Sequence, residues 1–256
     1  MAINEVFPNP TVKEVVFQVR FPNLFYIEQV IPKLQMKIMD RFPESELRFQ
    51  RQFVFANLGP EGKLEEAPQD MDTATKNWHF ESKDKYELNV FQNVLAVSSS
   101  FHKTYNNPKE PNRFKDIIEF VVSNFLEVSP IPEFSRVGLR YIDECPLPEK
   151  TSDTFHSYYN SILPTERFDI SKAENMDSRV VIKQDSCSLS YVESLRNLPD
   201  GTYKLILDFD AFSMNIAAKD YLPTTDILHT IIADEYEKTI KKPVIEHMRK
   251  EPKSGE

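Results

Sequence analysis

The sequence predicts an α+β protein built from two β-α-β-β-β-β-α units, an internal duplication whose halves share one continuous antiparallel sheet with helices packed on one face. Three observations carry this prediction. Phe17-Gln18-Val19-Arg20-Phe21 and Val137-Gly138-Leu139-Arg140-Tyr141 are alternating strands with an arginine at the same place. Each is followed by apolar residues at helical spacing. A block of short strands and a closing helix then completes each half, with Pro130-Ile131-Pro132 between them.

In the first half, Val15, Phe17, Val19 and Phe21 alternate with Glu14, Gln18 and Arg20 until Pro22 ends the strand. Ile27, Val30, Ile31, Leu34 and Ile38 line one side of a helix, with Pro32 predicting a kink or restart. A second strand is read from the alternation of Leu47, Phe49, Arg51, Phe53 and Phe55 with Arg48, Gln50 and Gln52. The acidic stretch 59–75 reads as a loop, and strands follow near 78–80, 86–90 and 94–101. Phe114, Ile117, Ile118, Val121, Val122 and Phe125 form the clearest amphipathic helix.

The second half repeats the order. After the 137–141 strand, Phe155, Tyr158, Tyr159 and Ile162 mark a helix, and strands are expected near 168–170, 180–183, 187–192 and 203–209. The last two are joined by a Pro199-Asp200-Gly201 turn. The final helix is expected to start on a Thr224 or Thr225 cap, bury Ile227, Leu228, Ile231, Ile232, Tyr236 and Ile240, and stop at Pro243. The predicted units are 1–130 and 131–243, leaving 244–256 as a frayed charged tail.

Composition bounds the function. A net charge of −9 argues against a broad phosphate-binding surface, so direct nucleic-acid binding is not expected. Five glycines in 256 residues leave no Gly-rich phosphate loop, and no nucleotide cofactor is predicted. No apolar run is long enough for a membrane helix and no export signal opens the chain, which predicts a cytoplasmic protein. Cys145 and Cys187 have no Cys or His beside them at metal-ligand spacing; they read as unpaired core thiols, with one disulfide as the alternative.

Arg20 and Arg140 are the sharpest site candidates, because equivalent positions in two repeats would place them symmetrically on the polar sheet face. Arg48, Gln18, Gln50, Gln52 and Arg136 fall on strands of similar polarity, and together these residues could hold carboxylates, phosphates or a partner's backbone. The plainer alternative is a solvated face of cross-strand ion pairs. Asp208 and Asp210 point the same way from one strand, the minimum for a metal nuclease, with Glu193 as the nearest further carboxylate; pairing with Lys204, Arg179 or Lys183 is the competing reading. The five histidines are scattered, with His229 expected at a helix–sheet junction, and the serine runs lack a nucleophile elbow. No catalytic residue is assigned.

The predicted element order resembles the saddle of the TATA-box-binding protein, in order only. The segments Phe7-Pro8-Asn9-Pro10-Thr11-Val12-Lys13-Glu14-Val15-Val16-Phe17, Trp78-His79-Phe80-Glu81-Ser82-Lys83-Asp84 and Arg136-Val137-Gly138-Leu139-Arg140-Tyr141-Ile142-Asp143, with Leu228-His229, resemble a sporadically distributed, uncharacterised family of prokaryotic proteins. That resemblance implies an accessory role, of the kind found beside type III CRISPR effector and protease systems in antiviral defence. The expectation is therefore a non-enzymatic regulatory subunit that binds another protein, encoded nearby. The alternatives are a sensor of an anionic small molecule or nucleotide, and a metal-dependent nuclease.

Overall fold

Alternation of buried and more exposed residues, the pattern that lets one side of a strand face a core and the other side water, runs along 14–20, 86–90, 94–99 and 205–213. The computed structural model describes residues 6–51, 74–198 and 201–251. Their elements are β1 (Val12–Arg20), α1 (Ile27–Ile38), β2 (Glu44–Arg51), β3 (Ala74–Glu81), β4 (Tyr86–Val90), β5 (Val94–Ser99) and α2 (Phe114–Val128). These are followed by β6 (Glu133–Cys145), α3 (Ser152–Tyr158), β7 (Asn175–Gln184), β8 (Cys187–Asn197), β9 (Tyr203–Ala217), α4 (Tyr221–Thr239) and α5 (Lys242–Met248). All nine strands form a single antiparallel sheet, ordered β2-β3-β4-β5-β1-β6-β9-β8-β7. The chain is thus α+β.

The core lies on the face carrying Val15, Phe17 and Val19 of β1, Val137 and Leu139 of β6, and Leu207, Phe209 and Ala211 of β9, all buried. Helices close over it through aromatic contacts. Phe17 meets Tyr221 of α4 at 6.4 Å between ring centres, Phe21 meets Phe125 of α2 at 5.3 Å, and Phe209 lies between Tyr191 at 4.7 Å and Tyr236 at 5.9 Å. From α1, Ile27, Val30, Leu34 and Ile38 join the same core, as the spacing predicts, and the helix continues through Pro32. Trp78 is partly buried against this core.

The second half departs from its expected order at several points. The strand expected near 168–170 is absent: Asp169 accepts hydrogen bonds from the Ser171 amide at 3.0 Å and hydroxyl at 2.7 Å, which caps a short 3-10 turn at Ile170–Lys172. That half therefore contributes four strands, β6 to β9, against five in the first. The helix expected to carry Ile162 ends at Tyr158, because Tyr159 turns extended and pairs with Ile240. The final helix begins at Tyr221, so Thr224 and Thr225 are internal; Thr225 bonds back to the Tyr221 carbonyl at 2.7 Å instead of capping. Ile227 is 54% exposed and not in the core. Pro243, expected to stop the final helix, stands in the first turn of α5, and residues 244–248 of the expected tail belong to α5, which buries Val244 and Met248.

Cys145 and Cys187 are both free and buried. The expected 59–75 loop, apart from its last two residues, lies outside the described residues, as do Phe53, Phe55, Gln52 and the Pro199-Asp200 part of the expected turn.

Asp143 and Glu193 are carboxyl groups buried on the core face. Asp143 of β6 is 2% exposed and accepts a hydrogen bond from Thr11 at 2.7 Å, while the Thr11 hydroxyl is also 2.7 Å from the Tyr236 hydroxyl of α4. Burial pushes the Asp143 carboxyl up to about 7, and the charge of Asp208 adds to the rise. A carboxyl raised from about 3.9 holds its proton longer in the folded state, so its contribution is complete below about pH 4 and is lost as pH climbs through 7; the span is about 4 kcal/mol. His229, which burial lowers, acts with the opposite sign near its own titration.

Two outcomes are expected. Stability measured by urea denaturation should decline from pH 4 to 7 more steeply in the native chain than in Asp143→Asn. Phe209→Ala should cost about 3–5 kcal/mol in the same assay, since it empties a site packed by two rings.

Candidate functional site

The site starts from the register of β1 on β6. Gln18 faces Gly138, with Arg20 opposite Arg136 on one side and Val16 opposite Arg140 on the other. All six residues are on the sheet face turned away from the core. Arg20 and Arg140 thus lie at equal register offsets, two residues along their own strands, from the Gln18–Gly138 pair. On the next strand, β9, Asp208, Asp210, Phe212 and Met214 share this face through their pairings with β6.

Two like charges facing each other across strands repel, and Arg20 opposite Arg136 is such a pair. The repulsion is relieved on one side. Arg136 sends Nη2 to both oxygens of Asp210, at 2.6 and 2.8 Å, donates from Nη1 to Gln18 at 3.2 Å, and lies 4.8 Å over the Phe212 ring. Gly138 makes this possible, because a β-carbon there would come 2.3 Å from Arg136 Nη1. Arg140 forks onto Asp208, Nε to one oxygen at 2.7 Å and Nη2 to the other at 2.5 Å, and this hydrogen bonding raises its pKa.

Arg20 differs from both. It is exposed, donates from Nε to Gln18 at 3.0 Å, and has no carboxylate partner among the described residues. Gln18 therefore offers one oxygen to two guanidinium groups. Together Val16, Gln18, Arg20, Arg136, Gly138, Arg140 and Asp210 line a shallow depression of about 140 Å³.

Of the candidate residues, Gln18, Arg20, Arg136 and Arg140 come together. Arg48 does not: β2 is four strand spacings from β1, about 19 Å, and Arg48 pairs with Glu46 of its own strand. The Gln50 side chain and Gln52 lie outside the described residues. Asp208 and Asp210 are engaged by Arg140 and Arg136 rather than by Lys204, Arg179 or Lys183; Lys204 bonds Glu144 at 2.9 Å and Arg179 bonds Ser190 at 3.1 Å. Glu193 is on the opposite face, fully buried, accepting from Ser161, the Ile162 amide at 3.1 Å and Tyr191 at 2.5 Å. The three carboxylates do not converge, and no cluster of three metal-ligating side chains occurs among the described residues.

His229 sits between α4 and the sheet, 3.2 Å from the Tyr141 hydroxyl through Nδ1. Sequence reasoning did not assign Gly138, Asp210 or Phe212 to the arginine site. Gly138 was the available signal, since glycine is uncommon in this chain and stands inside a strand pattern where backbone or side chain must approach closely.

Asp210→Asn should cost about 1–3 kcal/mol in denaturant unfolding, because the Arg136 side chain, 12% exposed, loses its counter-charge. In a double-mutant cycle, Arg136→Met combined with Asp210→Leu should cost less than the two single changes summed. Against known proteins, no family model, no curated protein and no solved structure matches this chain.

Proposed function

We propose that the chain is a binding module, a regulatory subunit rather than a catalyst, that receives an acidic group of a partner protein at Arg20. The carrying observation is the uneven state of the three arginines: Arg136 and Arg140 are neutralised by Asp210 and Asp208, while exposed Arg20 has only Gln18 among the described residues. A carboxylate arriving at Arg20 would gain two-point, charge-assisted hydrogen bonds, and would relieve its repulsion with Arg136. Fixed neighbours reduce what must be ordered on binding.

An internal duplication is the simplest account of the frame. β1 pairs with β5 and β6 with β9, so each half closes its first strand on its last, and the two first strands meet at the middle. This supports a saddle-like sheet of two repeats, with one strand lost from the second. The sequence resemblance directs the search for a partner to proteins encoded beside type III CRISPR effectors. Titration calorimetry against those proteins should find one that binds the native chain, with Arg20→Glu weakening it at least about tenfold, roughly 1.4 kcal/mol. Equal affinity for native and Arg20→Glu chains would retire this face.

The 140 Å³ depression favours one second reading, a sensor for a small anion or nucleotide. Thermal denaturation with a panel of nucleotides and carboxylates distinguishes it: a shift that disappears in Arg20→Ala combined with Arg140→Ala would support it, and no shift with any compound would remove it.

A further inference from the structure

The motif segments 7–17, 136–143 and 228–229 are far apart in the chain, and only the first two of them reach the arginine site. All three meet on the other side of the sheet. Phe7, Thr11, Tyr141, Asp143 and His229 contribute to one partly open cavity of about 120 Å³, completed by residues of α4 and by Met248 of α5. Its walls are mainly apolar, with Val12 from β1, Ile232 from α4 and Met248 among them.

The Asp143 carboxyl is short of partners. A carboxylate has about four acceptor sites, yet Asp143, 2% exposed, receives a single hydrogen bond among the described residues, from Thr11. The Thr11 proton is spent on Asp143, and the single Tyr236 proton is shared between the Thr11 oxygen at 2.7 Å and Met248 Sδ at 3.5 Å, so neither hydroxyl has a proton left for a second bond to the carboxylate. Lys103 lines the cavity but its ammonium is turned to the Ser100 carbonyl at 2.6 Å. His229 is kept neutral by burial, so no imidazolium opposes a cation there. Water alone suits the space poorly, since the volume is several times the roughly 30 Å³ share of one molecule and most of the wall offers nothing to bond.

We propose that this cavity binds a small primary amine, its ammonium held by Asp143 and its hydrocarbon part packed against Val12, Ile232 and Met248. An engineered cavity of about 150 Å³ accepts benzene, so a tail of about four or five carbons fits a space of 120 Å³. A hydrocarbon tail alone would leave Asp143 unsatisfied, and an anion would meet a carboxylate. The ligand is therefore a cation with a compact apolar body.

The test uses the full chain and two matched pairs of probes: isobutylamine with isobutanol, and cyclopentylamine with cyclopentanol. Ligand-observed NMR and calorimetry should find saturable binding of each amine, at least about tenfold tighter than its alcohol. Asp143→Asn should abolish that preference while leaving the alcohols unchanged. Ala233→Phe, which fills the cavity from α4 and keeps Asp143, should abolish binding of both and serves if Asp143→Asn does not fold. Equal affinity for amine and alcohol, amine binding undiminished in either variant, or no saturable binding of any probe would each overturn the proposal.

Discussion

The pairing of β1 with β6 holds the molecule together. It is a run of main-chain hydrogen bonds between strands more than a hundred residues apart, and it makes one sheet of what would otherwise be two. Because side chains alternate strictly, this register decides both faces at once. Phe17 opposite Leu139 and Val19 opposite Val137 give the helices a continuous apolar surface, and the same pairing brings Arg20, Arg136 and Arg140 around Gln18 and Gly138. A slip by one residue would bury the arginines and expose the phenylalanines.

The arginine face shows how such a register is reconciled with charge. Side chains on β6 and β9 do not bond straight across; Arg136 and Arg140 reach diagonally to Asp210 and Asp208, and Glu144 does the same with Lys204. The Arg140–Asp208 and Glu144–Lys204 pairs span two register positions, and the Arg136–Asp210 pair spans four, across the Gly138–Phe212 position. Gly138 supplies the space that lets the Arg136 guanidinium lie flat between them, and the one arginine outside this arrangement is the one the pairing leaves beside it.

Much of the frame was legible in the sequence because it is local. Alternation located β1, β4 and β6, and the 3- and 4-residue spacing from Phe114 to Phe125 located α2. Errors arose where a side chain competes with the backbone: Asp169 and Ser171 form a turn where a strand was expected, and Thr225 bonds inside α4 where a cap was expected. The sites were harder to read because they are made of pairings. Nothing near Arg136 in sequence indicates Asp210, and nothing near Thr11 indicates Asp143 or Tyr236. Asp208 and Asp210 were recognised as sharing a face, but their partners depend on the strand order, and Glu193 faces the core because of its position in β8.

The central pairing also has a consequence in time. As the chain leaves the ribosome, β1 can find β5 as soon as residue 99 has emerged, but β6 is not available until more than thirty residues later, a delay of several seconds at about 5–20 residues per second. During that interval the first half presents β1 as a bare edge, rich in valine and phenylalanine and open to any other strand. The nascent protein is thus most vulnerable to mispairing at the place that later becomes its centre. Arg20 and Glu14, on the polar side of that edge, are charges of the kind that discourage another chain from docking there before β6 arrives.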